Sequence, residues 1–305
     1  MHALNLALFV LALGASALAV LRLSEPGRAR PPAPTAHGSA SVSDARGRAV
    51  PVRRWQRLVS LDLVSDELLA LLVEPERILA VSRWAQGPES WRLAGKPRLA
   101  GLGDLEALLR LAPDLVLISS FGGDDDRLAR LQEAGIVVCD LGPATGYDAF
   151  LANVRRVASA IAAPERGERL VAILEARRQA LAARAPRPPP RALVLIPIGD
   201  EVYGGSVGSS FHDLLRCAGL ADAAAGQLRE PWPRYTAEIV HRLAPELIVT
   251  RAGGGRLLER LPGYRELPAL RAQRLVELPE ELFDSPGSGI LDAAERLQEL
   301  LRALP

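Results

Sequence analysis

Two stretches of the chain are nearly the same words. LRLAPDLVLIS runs from Leu109 to Ser119 and HRLAPELIVT from His241 to Thr250. In each, an amphipathic run stops at Ala-Pro-acid and a short apolar, β-branched run follows. Proline has no N–H to donate and pushes the residue before it away from helical angles, so each leading run is a helix that ends there. An apolar run of four or five residues without alternation is a strand buried on both faces, as in a parallel sheet. The chain of 305 residues therefore holds two versions of one α/β unit, and about 150 residues per domain leaves room for both.

The segment between the units decides how they are joined. From Pro164 to Arg184, Leu170, Leu174 and Leu181 fall at i, i+4 and i+11, Val171 and Ile173 widen the stripe, and Arg and Glu fill the other faces. This is one amphipathic helix, begun by a proline whose missing N–H costs nothing and closed by the Pro run at 186–190. At about 1.5 Å per residue it spans on the order of 30 Å, a strut that resists hinge bending. The fold class expected is α/β, with two lobes, each a parallel-type sheet flanked by helices, joined by a long interdomain helix. The boundaries expected are 41–162 for the N-terminal lobe, 163–190 for the helix and its Pro-rich connection, and 191–305 for the C-terminal lobe.

Residues 1–23 read as a signal peptide or N-terminal anchor. Ala3 to Ala19 is apolar apart from Asn5 and Ser16, and Ala17-Leu18-Ala19 offers a cleavage site. No Cys follows, which excludes lipid attachment at a signal-peptide cysteine. Residues 24–40 are too poor in large apolar side chains to repay ordering and read as a disordered linker. Export to the periplasm is expected, with an uncleaved anchor ending near Leu23 as the alternative.

A net charge of +1 argues against nucleic acid as a partner. Cys139 and Cys217 fall in different lobes, neither in a CxxC, and read as free buried thiols. Gly204-Gly205-Ser206-Val207-Gly208 has the spacing of a nucleophile elbow, and Ser206, Asp222 and His241 follow in a permissible order. The residues before Ser206 are poor material for the strand an elbow needs, and a flexible cleft loop explains the glycines better. His241 reads as part of an amphipathic helix. Only His212 and His241 of the four His lie in the folded part. That argues against a metal bound directly by the protein, and both read as surface or core residues. Gly253-Gly254-Gly255 lacks the Lys and hydroxyl of a phosphate-binding loop.

In a parallel sheet, ligands sit beyond the carboxyl ends of the strands, which puts Asp62 and Ser65 on one rim. Aromatics make up 4% of the chain, yet Trp84, Phe121, Tyr203, Trp232 and Phe283 all fall at or near strand ends or in second-lobe loops. Large flat faces suit a macrocycle or an aromatic chelate. Trp91 and Phe121 read equally as caps on the core. Arg251 is placed to neutralise a carboxylate or phosphate of a ligand.

Six phrases in order carry a resemblance. They are SVSDARGRAV with RLVSLDLVSDELLALL, GLGDLEALLRLAPDLVLIS, GSSFHDLLRCAGLADAAA, PWPRYTAEIVHRLAPELIV, LPALRAQRLVELP and GILDAAERLQELL. Over about residues 41 to 303 the chain resembles the helical-backbone (class III) periplasmic substrate-binding proteins that feed ferric siderophores, haem or cobalamin to ABC importers. It departs from the pattern near the cleft. Leu63 stands for a usual Pro, Asp66 for a usual Thr, and Gly289, after Pro286-Gly287-Ser288, for a frequent Arg.

The resemblance implies a monomer that catalyses nothing and holds no cofactor of its own, any metal arriving inside the bound chelate. It implies a permease dimer in the inner membrane as partner, and ligand contact at Trp84 and at Trp232 of Pro231-Trp232-Pro233, as in cobalamin receptors. It also implies docking through Glu106 and Glu238, one per lobe. A sensor of the same fold and, more remotely, a serine hydrolase using Ser206 are the alternatives.

Overall fold

The computed structural model describes residues 40–86, 89–119, 125–143, 145–283 and 286–304. The leader, nearly all of the linker, and Phe121 lie outside them. A small hairpin, β1 (Ser41–Ser43) and β2 (Ala49–Pro51), opens the N-terminal lobe. It is followed by β3 (Leu58–Ser60), α1 (Leu63–Leu72), β4 (Ile78–Ser82), β5 (Arg98–Leu99), α2 (Leu105–Leu111), β6 (Leu115–Ile118), α3 (Asp125–Glu133), β7 (Val137–Asp140) and α4 (Tyr147–Ala160). The sheet order is β5-β4-β3-β6-β7, all parallel.

The strut is α5 (Pro164–Ala183). The C-terminal lobe runs β8 (Arg191–Ile198), β9 (Glu201–Gly204), α6 (Ser210–Cys217), β10 (Ala221–Asp222), α7 (Ala237–Leu243), β11 (Leu247–Arg251), α8 (Gly254–Arg260), α9 (Pro268–Arg271), β12 (Leu275–Leu278), α10 (Glu280–Phe283) and α11 (Gly289–Leu301). Its parallel order is β10-β8-β11-β12, and β9 folds back antiparallel on β8. The two-lobed α/β reading holds. Residues 200–204, read as poor material for the core strand an elbow needs, do supply a short strand, β9, that folds back on β8 with Val202 buried against the sheet.

The repeated phrase is repeated in three dimensions. Both leading helices end on a left-handed alanine, Ala112 at φ 44° and Ala244 at φ 45°, each followed by the proline. In both lobes an arginine caps the same helix end, Arg57 just before β3 and Arg191 at the start of β8. Arg57 donates to the Leu111 carbonyl at 2.5 Å, and Arg191 to the Leu243 carbonyl at 2.7 Å. Those carbonyls have no partner within their helix, and a guanidinium there also meets the negative end of the helix dipole.

One apolar core is continuous through both lobes. It joins Leu68 and Leu72 of α1, Phe150 and Val154 of α4, Val171, Leu174 and Leu181 of α5, Leu214 of α6 and Leu297 of α11. Ile173, expected to widen the strut's apolar stripe, is 64% exposed; it sits two residues from Val171, where the helix has turned away from the core. The strut is ion-paired to both sides, Arg178 to Asp148 of α4 and Arg177 to Asp292 and Glu295 of α11.

The lobes also finish each other's helices. Glu67 of α1 is buried and accepts from the Ser288 N–H at 2.8 Å, at the start of α11. Asp213 of α6 accepts from the Tyr147 N–H at 2.5 Å, at the start of α4. Glycine stands where these carboxylates approach, since a Cβ on Gly287 would lie 2.0 Å from Glu67 Oε2 and one on Gly146 2.1 Å from Asp213 Oδ2.

Candidate functional site

In each sheet the first strand has later strands on both sides, so the chain reverses direction there and a crevice opens at the carboxyl ends. In the N-terminal lobe the crevice lies between β3 and β6. Asp62 spans it, accepting from the Ser119 N–H at 2.5 Å with one oxygen and from the Ser65 N–H at 3.0 Å with the other. Ser65 returns the bond, its hydroxyl accepting from the Asp62 N–H at 3.1 Å, which completes a capping box on α1. Burial raises the Asp62 pKa, against those N–H donors. Both side chains, expected on the ligand-facing rim, have their hydrogen bonds taken up within the protein.

Arg251 holds the matching place between β8 and β11. It donates to the Pro197 carbonyl at 3.1 Å and lies 3.4 Å from Glu280, so an anionic ligand has that carboxylate to displace.

The exposed aromatic surface falls into two parts. Trp84, 36% exposed, sits in the turn after β4 with the Arg83 guanidinium 4.6 Å from its ring centroid, a cation–π contact that covers one face. On the other lobe Trp232, 49% exposed, meets Phe211 edge-on at 5.2 Å, and Phe211 meets Phe283 edge-on at 5.5 Å. Phe211, on the first turn of α6, is the member that sequence reasoning missed. Its only signal was an aromatic beside the N-cap serine, which reads as ordinary helix core. Tyr203 lies apart on β9, its hydroxyl donating to Glu201, a bond that raises the phenol pKa.

Two glycines of the run are there for close packing. A Cβ on Gly204 would lie 2.1 Å from the Val194 carbonyl oxygen and one on Gly205 2.4 Å from Ser209 Oγ. The backbone there pins the loop bearing Trp232, the Gly204 N–H donating to Pro233 at 3.2 Å and the Ser206 N–H to Pro231 at 2.9 Å. Ser206, Asp222 and His241 do not come together as a nucleophile assembly. Ser206 is fully buried with no partner for its hydroxyl, His241 is bonded to the Gly263 carbonyl, and Asp222 pairs with His212 at 2.7 Å.

Among the described residues no group of three or more His, Cys, Asp or Glu could hold a metal ion. Cys139 and Cys217 are free and buried, and desolvation pushes their thiols up to about 12 and about 11. Such thiols are inert packing groups. Glu106 and Glu238 are exposed, each the second residue of its helix, α2 and α7.

A profile of the periplasmic binding protein family matches residues 58–282. The chain belongs to that family. This periplasmic binding protein is 25% identical over 257 residues to the vitamin B12-binding protein of Yersinia pestis (strain Pestoides F), covering 84% of the chain and 90% of the relative. It is 22% identical over 271 residues to YvrC of Bacillus subtilis, an uncharacterized ABC transporter substrate-binding lipoprotein, covering 85% and 84%. Its fold matches the periplasmic heme-binding protein BhuT, solved with two hemes, at a TM-score of 0.69 and 25% identity, over 82% of this chain and 99% of that one. The heme-binding protein RhuT from Roseiflexus matches at 0.68 and 26%, over 80% and 97%. No helix among the described residues is long and apolar enough to cross a membrane.

Proposed function

We propose that this periplasmic binding protein is the extracytoplasmic substrate-binding component of an ABC importer. It captures a metal chelate, a corrinoid, haem or ferric siderophore, between its lobes and catalyses nothing. The observation that carries this is the pair of solvent-facing indoles, Trp84 and Trp232, one on each lobe, on loops held by backbone hydrogen bonds. Exposed, pre-positioned aromatic faces gain contact area with a flat ligand at small entropy cost. A chelate carries its own metal, consistent with a site built of aromatics rather than His and carboxylates. The names of the relatives, vitamin B12-binding and heme-binding, support the same ligand class. Docking is assigned to Glu106 and Glu238, and export to residues 1–23.

The test is a visible absorption spectrum of the protein purified from its native host, with titration of the stripped protein by cyanocobalamin, haemin and a ferric catecholate. One of these should bind at micromolar or lower concentration and quench tryptophan emission. Binding of none, with a colourless native preparation, would remove the chelate assignment.

A further inference from the structure

Asp66 is unusual less for being an acid near a helix start, which the helix dipole favours, than for being buried there without a cation. It sits on the first turn of α1, fully buried, and its carboxylate is surrounded by donors rather than cations. Oδ1 accepts from the Ser60 hydroxyl and from the Ser82 N–H at 2.9 Å, and Oδ2 accepts from the Ser82 hydroxyl at 2.5 Å. Ser60 and Ser82 are themselves fully buried at the ends of β3 and β4. The Ser82 oxygen in turn accepts from the Trp84 N–H at 3.1 Å. One relay thus runs from a buried carboxylate through one hydroxyl to the backbone of the exposed indole.

The direction of that relay depends on charge. Ionised, Asp66 accepts a hydrogen bond from the Ser82 hydroxyl, which leaves the hydroxyl's lone pairs to the Trp84 N–H. Protonated, the carboxyl donates to Ser82 instead, occupying a lone pair and freeing the hydroxyl hydrogen to seek another acceptor. We propose that Asp66 is a positioning residue for Trp84, and that its charge state sets how the N-terminal lobe presents this indole to the ligand. The inference rests on Trp84 being a cleft residue, as read above.

Desolvation raises the Asp66 pKa to about 6, with the Asp62 charge adding to the rise and the serine donors opposing it. Of the charged groups around it, Arg98 on β5 donates to the carbonyls of Ser82 and Ala85, Arg83 lies over the indole, and Glu67 bonds to Ser288. Among the described residues none pairs with the Asp66 carboxylate. A carboxyl whose folded pKa lies above its unfolded value adds stability that is complete below about pH 4 and is lost as pH rises through about 6.

The experiment needs no ligand for its first readout. The emission of wild type minus that of Trp84→Phe isolates Trp84 and is followed from about pH 4 to 8, beside thermal melts. A shift with a midpoint near pH 6 is expected, lost in Asp66→Asn and also in Ser82→Ala, which keeps the carboxylate. The fall in melting temperature across that range should persist in Ser82→Ala and flatten in Asp66→Asn. A Trp84 emission indifferent to pH, or one that titrates alike in both variants, overturns the proposal, and Ser82→Ala decides alone should Asp66→Asn not fold. Cyanocobalamin and haemin titrations on either side of the midpoint should differ several-fold in affinity in wild type and not in Asp66→Asn; equal affinities overturn it. Failure of both probes to bind counts against the ligand class, while the emission still decides the role of Asp66.

Discussion

Trp232 carries half its surface into solvent, yet it is held from two directions. Its flanking carbonyls are bonded to the 204–206 backbone, and its ring meets that of Phe211 at nearly a right angle. Trp84 is held through Ser82 and Arg83. Truncating either indole removes a large apolar face, and about 1 to 3 kcal/mol of affinity for the bound chelate should go with it, read by titration of Trp84→Ala and Trp232→Ala. Phe211→Ala should weaken binding by a smaller amount, about 0.5 to 1.5 kcal/mol, because it loosens Trp232. Full affinity in Phe211→Ala would mean that the loop hydrogen bonds alone orient the ring.

Ala112 and Ala244 each close a helix in a backbone region that suits glycine, and each precedes a proline. A left-handed L-residue costs roughly 1 kcal/mol, of which glycine returns a part in the unfolded chain. Ala112→Gly and Ala244→Gly should therefore each stabilise by about 0.5 kcal/mol, additively because the sites are in different lobes, as measured by denaturant midpoints. The elements around these sites were legible in the chain because helix, Ala-Pro-acid and buried strand are local signals of propensity and period. The strut was legible for the same reason, from Pro164 to its Pro-rich end. What sequence could not show depends on neighbours brought from afar. Strand β9 exists because Val202 finds a place against β8, and the tight glycines beside it looked like freedom until Val194, Tyr235 and Ser209 were seen against them. Asp62 and Arg251 lie at the carboxyl ends of β3 and β11 and Ser65 in the first turn of α1, with their polar atoms engaged by the backbone and by Glu280. Phe211 gave no local sign of its ring contacts.

At the level of the whole molecule, Glu106 and Glu238 occupy equivalent places in the two repeats, at the second position of α2 and of α7, and the Glu106 side chain is 93% exposed beside an Arg110 contact of 3.7 Å. Charge-assisted pairs with arginines on the two halves of a permease would be broken by removing both. Glu106→Ala with Glu238→Ala should abolish uptake through the cognate importer and leave solution affinity for the chelate unchanged. Normal uptake would place docking elsewhere. The reciprocal caps between the lobes bear on how such a molecule can be inherited. Since Glu67 completes the start of α11 and Asp213 the start of α4, each half carries a carboxylate whose partner is encoded in the other. A recombination that exchanged one half for that of a cousin would strand a buried acid on one side and an open helix end on the other, unless the cousin brought a matching pair. The halves are alike in plan, yet each is fitted to the other.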